Sequence, residues 1–143
     1  MSNLINGKKV AGEIKDEISK VILDSISRGN RVPSIKIVLV GDHGPSKIYV
    51  NAKLKACESV GIEAELISLN DNIKQDKLSE LIVDMNKDQD LDGFIVQLPL
   101  PNHVSVQKVI ELIDPSKDID GFTNDNIGSI SSKNKKLMLS LIH

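Results

Sequence analysis

The chain has 143 residues, of which 40% are hydrophobic and 27% are charged, as is usual for a folded globular protein. Its 18 basic and 20 acidic residues leave a formal net charge of −2, so electrostatics give no reason to expect a nucleic-acid or anionic-membrane partner. Aromatic residues make up only 2%, too few for the stacking surfaces of single-stranded nucleic-acid binders. Cys57, the single cysteine, excludes an intramolecular disulfide and a cysteine-based zinc cluster, and is expected to be a small buried apolar side chain.

The cellular location is predicted from two absences. No uninterrupted apolar run approaches the roughly 18 residues of a membrane span. The first nine residues lack the apolar stretch of a secretory signal. We therefore expect a cytoplasmic protein.

Helical and strand periodicities alternate along the chain. Between Val10 and Ile26, apolar residues recur at intervals of three and four, which predicts a helix with one apolar stripe. The other predicted elements are a strand at 35–40, a helix at 46–60, a strand at 63–69, a helix around 78–85, a short strand at 94–96, a helix at 106–113 and a short helix near 124–130. Pro45 is expected to open the second helix and Gly61 to end it, and residues 70–72 are expected to cap the third.

Strands separated by helices of this length indicate parallel pairing, because a right-handed crossover needs the intervening helix. The sequence therefore predicts one α/β domain over residues 1–143, with three α-β-α layers and a mainly parallel sheet.

The C-terminal residues do not fit this pattern. Residues 131–136 are polar, whereas residues 137–142 are strongly apolar and need a surface to bury against. Two explanations stay open: an edge strand completes the domain, or the native polypeptide continues and this chain is a fragment.

Several common chemical signatures are missing. The nine glycines form neither a G-x-G-x-x-G motif nor a Walker loop, so the usual phosphate cradles are not expected. His43, His103 and His143 are not spaced as metal ligands on one element, and no metal site is predicted.

Three segments could carry chemistry, because each is expected just past the carboxyl end of a strand, where open α/β sheets bind ligands. Ser46, Tyr49 and Lys53 fall on one helical face, where a partly dry lysine beside a phenol could exchange protons, although an exposed surface lysine is the alternative. Residues 97–101 form a stiff Pro-containing loop headed by an amide side chain, or only an edge-protecting loop.

The third segment, residues 114–122, carries two carboxylates at Asp118 and Asp120. Their spacing suggests a metal pair at first sight, but no third carboxylate follows at calcium-loop spacing. One of them could accept paired N–H donors from a flat heterocycle, while the other could simply neutralise Lys117. Composition alone does not separate these alternatives.

Together these segments resemble a known family. The resemblance is carried by Gly7-Lys8-x-Val10-Ala11, by residues 40–46, 49–56 and 61–62, by Asp92-Gly93-Phe94-Ile95-Val96-Gln97-Leu98-Pro99-Leu100-Pro101, and by Lys117-Asp118-Ile119-Asp120-Gly121-Phe122. Over about residues 5–130 the chain is similar to the N-terminal folate-binding domain of bifunctional methylenetetrahydrofolate dehydrogenase/methenyltetrahydrofolate cyclohydrolase. It differs at Thr123, where many relatives have histidine, and at residues 43–45, which vary on a common Asn-Pro-Ala-Ser pattern.

The resemblance implies a role for each site residue. Lys53 would assist proton transfer as water adds to the methenyl bridge carbon, Tyr49 would stack near the folate, and Gln97 would hydrogen-bond the lysine and keep it reactive. Asp120 would accept hydrogen bonds from the pterin. Leu98 and Pro99 would line the pocket.

The resemblance also implies an enzyme of one-carbon metabolism. Such an enzyme oxidises 5,10-methylenetetrahydrofolate with NADP or NAD and hydrolyses the resulting methenyl compound to 10-formyltetrahydrofolate. Members are about twice as long, carry the nicotinamide cofactor on a second, Rossmann domain and are expected to be homodimers. We expect the 143 residues alone to lack dehydrogenase activity and to contain no cofactor-binding residues. The alternative is a non-catalytic α/β module that binds a pterin-like ligand or a protein partner.

Overall fold

The computed structural model describes residues 6–131, so the expectations for residues 132–142 lie outside the described part. Every predicted helix and strand is present, and no end differs from prediction by more than three residues. The elements are α1 (Gly7–Ser27), β1 (Ser34–Val40), α2 (Gly44–Val60), β2 (Glu63–Leu69), α3 (Gln75–Lys87), β3 (Gly93–Val96), α4 (Val106–Leu112) and α5 (Asn124–Ser131).

The three strands form a parallel sheet in the order β2-β1-β3. Strand β1 lies in the middle, and its Val38 is level with Ile67 of β2 and Val96 of β3. The central strand consists largely of β-branched residues that are buried on both faces, as expected for a strand covered by helices on each side.

Helices cover both faces of the sheet. Alternate side chains of β1 point to opposite faces, so Val38 and Val40 pack with α3 residues such as Leu78, whereas Ile37 and Leu39 belong to a second apolar cluster with residues of α2. Helix α1 packs against α2. The predicted three-layer α/β fold with a parallel sheet is therefore confirmed.

A fourth segment runs beside β3 without forming a full strand. The Phe94 amide donates to the Lys117 carbonyl at 2.9 Å, and Phe94 forms an isolated parallel bridge with Asp118. In this register Asp120 comes level with Val96, at the carboxyl end of β3. The chain therefore brings Asp120 to the edge of the sheet where β3 ends.

Close approach of this segment requires a glycine in β3. A Cβ built at Gly93 would lie 2.6 Å from Ile119 Cγ1 and 3.0 Å from the Lys117 carbonyl oxygen. A larger residue would require the Ile119 side chain and the Lys117 carbonyl, both in the segment that leads to Asp120, to move.

Helix ends agree with prediction in two places and differ in one. Pro45 stands in the first turn of α2, and Gly61 ends that helix in the left-handed conformation with φ +87°. The prediction that residues 70–72 cap α3 is wrong. The Asn70 side chain instead accepts from the Asn72 amide within the turn, and Lys74 stands at the start of α3 without a side-chain cap. Residues 70–72 end too early to reach the first free amides of the helix.

Burial in two parts of the chain adds to the sequence analysis, and for Cys57 it corrects an expectation. The apolar stripe of α1 remains largely exposed, with Val10 and Ile14 each at least 40% exposed, and Ile22 is the one residue of that helix that is buried among those described. Cys57 is half-buried rather than fully buried, and burial raises the pKa of its thiol. Within residues 6–131, no helix has the length and apolar character needed to cross a membrane.

Candidate active site

Lys53 stands at the centre of a polar cluster at the carboxyl edge of the sheet. Its Nζ lies 3.3 Å from Gln97 Oε1 and 3.4 Å from Asp120 Oδ1. The Lys53 side chain is 29% exposed and that of Asp120 13%. Helix α2, the end of β3 and the loop before α5 therefore each contribute one member of a cluster that is partly shielded and still open to a ligand.

The position of Gln97 follows from the end of β3. Its backbone amide donates to the Val38 carbonyl at 2.8 Å, which continues the pairing with β1 by one residue. Its side-chain Nε2 donates to the Leu98 carbonyl at 2.8 Å, so Oε1 is the atom that faces Lys53. The Leu98–Pro99 peptide bond that follows is cis. The hydrogen bond from Gln97 Nε2 to the Leu98 carbonyl sets the orientation of the Gln97 amide.

Asp120 is held by a loop that is organised around Asp118. The buried Asp118 carboxylate accepts hydrogen bonds from the backbone amides of Gly121 at 2.9 Å and Thr123 at 2.8 Å, and from Asn126 Nδ2 at 2.9 Å. Burial opposes ionisation of this group, but the Thr123 amide and the Asn126 side chain outweigh it and hold the pKa of Asp118 below its usual value.

The suggestion that one of the two carboxylates neutralises Lys117 is wrong. Lys117 Nζ donates to the Met85 carbonyl at 3.1 Å and to the Asp88 carbonyl, both at the end of α3. A lysine placed there satisfies carbonyl groups that a helix leaves without partners. Asp118 binds its own loop, and Asp120 forms an ion pair with Lys53.

The other residues implicated by the sequence lie on α2 and on the loop that follows β3. Tyr49 is one turn before Lys53 on α2, and its side chain is exposed at 65%, where a ligand can reach the ring. The Leu98 side chain packs half-buried against the apolar core, so Leu98 meets the cluster through its backbone carbonyl. Pro99 is exposed beside it. Ser46 is buried at the start of α2, with its Oγ 3.0 Å from His43 Nδ1.

The sequence did not single out Asp118 and Asn126 as holders of this loop. A signal was nevertheless present, because aspartate followed three residues later by glycine is typical of turns in which a side chain binds nearby backbone amides. Gly121 adopts φ +70°, a conformation that glycine reaches without strain. The predicted heterocycle-binding carboxylate is therefore positioned by its neighbour two residues earlier.

The turn between β1 and α2 does not fit the phosphate of a nucleotide cofactor. In open α/β sheets that bind dinucleotides, the phosphate lies at the first turn between a strand and a helix, which is this turn. Here Pro45 removes one amide donor from the start of α2, and the carboxylate of Asp42 occupies the same turn, paired with Lys47 at 2.5 Å. Within residues 6–131, no three His, Cys, Asp or Glu side chains are grouped as a metal ion requires.

Comparison with known proteins gives a consistent result. Residues 5–120 match the family model described as tetrahydrofolate dehydrogenase/cyclohydrolase, catalytic domain. The bifunctional protein FolD of Porphyromonas gingivalis is 46% identical over 128 residues, which are 90% of this chain and 43% of that protein. FolD of Flavobacterium johnsoniae is 43% identical over the same shares of each chain.

Solved structures agree. The FolD methylenetetrahydrofolate dehydrogenase/cyclohydrolase of Campylobacter jejuni superposes with a TM-score of 0.88 at 37% identity, over 94% of this chain and 47% of that one. The Trypanosoma brucei enzyme, solved with NADP and an inhibitor, gives a TM-score of 0.83 at 28% identity, over 90% and 44%. The present chain spans less than half the length of these relatives. By the extent of the family match and the agreement in fold, the chain belongs to the tetrahydrofolate dehydrogenase/cyclohydrolase family.

Proposed function

We propose that the chain is the folate-binding, catalytic part of an enzyme that converts 5,10-methylenetetrahydrofolate to the methenyl compound and hydrolyses it to 10-formyltetrahydrofolate. The observation that carries the proposal is that Gln97 Oε1 and Asp120 Oδ1 lie 3.3 Å and 3.4 Å from Lys53 Nζ at the carboxyl edge of the sheet. Open α/β sheets bind ligands at this edge.

Each side chain has a role that its geometry permits. Asp120 accepts hydrogen bonds from the amino and ring N–H groups of the pterin, because a carboxylate has enough acceptor sites to bind these donors and Lys53 together. Gln97 orients the Lys53 ammonium group through Oε1. Tyr49 supplies an exposed ring for stacking against the folate. Leu98 and Pro99 form the wall of the pocket.

The hydrolytic step requires two proton transfers, both at groups that are bonded to the bridge carbon. Addition of water to the cationic methenyl bridge forms a carbon–oxygen bond and releases one proton. When the carbon–nitrogen bond of the adduct breaks, the remaining hydroxyl proton moves to the departing nitrogen, which leaves a formyl group. An amine held beside the bridge carbon can assist such transfers, and Lys53 is the side chain that the cluster positions for it.

The oxidative step requires NADP or NAD, which accepts a hydride from the folate carbon. Since the turn between β1 and α2 does not fit a nucleotide phosphate, no residue of the described part is assigned to that cofactor. The matched relatives are more than twice as long as the matched region, and we propose that the cofactor-binding residues lie in the remainder. We further propose a cytoplasmic homodimer with the folate as its small-molecule partner.

The test is Lys53→Met in the full-length protein, assayed by hydrolysis of 5,10-methenyltetrahydrofolate. Methionine keeps the apolar stem and removes the amine, so we expect hydrolysis to fall by at least about a hundredfold while the unfolding midpoint in urea is unchanged. Lys55→Met is the matched control, because Lys55 is exposed on the same helix away from the cluster and should keep normal turnover.

Two outcomes would separate the enzyme from the non-catalytic alternative. Normal turnover by Lys53→Met would refute the catalytic assignment. A wild-type protein that binds the folate but hydrolyses it no faster than buffer would support a pterin-binding module.

A further inference from the structure

We propose that Asp118 is a positioning residue for the folate reaction: its buried carboxylate holds the loop that presents Asp120 to the pterin and to Lys53. This inference rests on the proposed function. It assigns to Asp118 a role distinct from that of Asp120, although the two carboxylates are only two residues apart in sequence.

The contacts of Asp118 show why it cannot itself bind the substrate. The residue is 4% exposed, and both carboxylate oxygens already accept hydrogen bonds. Oδ1 accepts from the amides of Gly121 at 2.9 Å and Phe122 at 3.3 Å, and Oδ2 accepts from the Thr123 amide at 2.8 Å. The backbone amides of residues 121–123 therefore all donate to one carboxylate. These residues directly follow Asp120, which pairs with Lys53.

Asp118 ties this loop to two flanking elements, to α5 through its carboxylate and to β3 through its backbone. Asn126 of α5 donates from Nδ2 to Asp118 Oδ2 at 2.9 Å and to the Pro115 carbonyl at 3.0 Å. On the other side, Asp118 is bridged to Phe94 of β3. Asp120 thus sits between a strand and a helix that are both fixed to Asp118, which restricts where its carboxylate can point.

Removal of the charge should therefore displace Asp120 rather than remove a substrate contact. In Asp118→Asn the side chain keeps its shape, but an NH₂ group replaces an acceptor that faces backbone N–H donors. A shift of about 1 Å in a substrate-positioning group can cost up to about a hundredfold in rate. We expect a rise in KM together with a fall in kcat, because the misplaced Asp120 acts on the bound substrate and on the reacting geometry.

The experiment compares Asp118→Asn with Asp114→Asn in the full-length protein, using 5,10-methenyltetrahydrofolate hydrolysis. Asp114 is a matched control, since its exposed carboxylate accepts from the amide and hydroxyl of Ser116 in the same segment but makes no contact with the loop of residues 121–123. We expect KM to rise about tenfold in Asp118→Asn and by less than about twofold in Asp114→Asn.

The KM readout separates positioning from simple loss of folded protein. A protein that is only destabilised has fewer active molecules, so kcat falls while KM stays the same. Asp118→Asn with wild-type KM would overturn the inference, whatever its stability. If this variant does not fold, Asn126→Ala is used instead. It removes one of the hydrogen bonds to Asp118 and should raise KM about threefold, and an unchanged KM would overturn the inference equally.

The Lys53→Met variant distinguishes failure of this inference from failure of the proposed function. If Lys53→Met loses hydrolysis while Asp118→Asn keeps the wild-type KM, the proposed function stands and the positioning role is wrong. If the wild-type protein does not hydrolyse the methenyl compound, both proposals fall.

Discussion

Gly93 offers a direct test of how the site is built, because it controls the approach of the Asp120 segment to β3. A Cβ at this position would lie 2.6 Å from Ile119 Cγ1, 2.9 Å from Ile119 Cδ1 and 3.0 Å from the Lys117 carbonyl oxygen. Carbon atoms in favourable contact are about 3.5–4.0 Å apart, so in Gly93→Ala the Ile119 Cγ1 atom must move by about 1 Å, and the Lys117 carbonyl by less. The Ile119 side chain can rotate away, but the Lys117 carbonyl is backbone and moves only with its segment.

The expected cost has two parts. Overpacking of this kind lowers the free energy of unfolding by about 1–3 kcal/mol. Because the displaced backbone leads directly to Asp120, hydrolysis of 5,10-methenyltetrahydrofolate should also fall, by about tenfold or more in kcat/KM. The loss of activity should remain when the assay is made well below the unfolding midpoint.

Urea unfolding and steady-state hydrolysis measure the two parts separately, and Gly12→Ala is the control. Gly12 lies in α1 with no atom within 4 Å of the position a Cβ would take, so alanine there should stabilise the protein by about 0.5–1 kcal/mol and leave turnover unchanged.

A second substitution tests the cause of the strain. Ile119→Ala removes both side-chain atoms that clash, so Gly93→Ala should cost at least about 0.5 kcal/mol less in that background than in the wild type. Gly93→Ala with wild-type stability and turnover would refute the reasoning that close packing of residues 117–119 on β3 sets the position of Asp120.

Two further predictions concern titratable groups. Because the pKa of Asp118 is lowered in the folded protein, its charge contributes stability that is present above about pH 4 and is lost as the pH falls through the folded pKa. The difference in unfolding free energy between wild type and Asp118→Asn should therefore shrink as urea titrations are moved from about pH 7 to about pH 3, and a constant difference would contradict this. Burial raises the pKa of Cys57, so an alkylating reagent should modify it more slowly in the folded chain than in urea, and equal rates would show that the thiol is not shielded.

The fold could be predicted because its elements carry local signals. Short runs rich in β-branched residues, such as 35–40, are bounded by glycine or proline, and the intervening segments have helical spacing. The parallel order follows from the helices between strands. That order brings the ends of β1 and β3 to one edge of the sheet, whereas the contact between Lys53 and Gln97 was expected from the family resemblance.

The loop of residues 118–123 could not be predicted in the same way. Both Asp118 and Asp120 are short carboxylates in a polar stretch, and their roles depend on the backbone path between them. The hydrogen bonds that the Asp118 carboxylate accepts from the Gly121 and Thr123 amides show that it turns inward, and the ion pair with Lys53 shows that Asp120 faces the cluster. Periodicity contains no information on such a turn.

The exposed stripe of α1 illustrates a second limit. Apolar spacing between Val10 and Ile26 correctly predicts a helix, but spacing does not reveal what covers each residue. Within the described part, α1 packs against α2, and Ile22 is buried while Val10, Ile14 and Val21 remain exposed. Whether a side chain is buried depends on the elements that pack around it, and the apolar spacing of one segment does not identify them.

The central claim is that Lys53, Gln97 and Asp120 together hold a folate at its reacting carbon. A crystal structure of the full-length protein with a stable analogue of 5,10-methenyltetrahydrofolate tests it most directly. We predict pterin N–H groups within hydrogen-bond distance of Asp120 and the bridge carbon about 3–3.5 Å from the Lys53 amine or from a water that it binds. A folate bound elsewhere, or a Lys53 amine that points into solvent away from the bridge carbon, would contradict the claim.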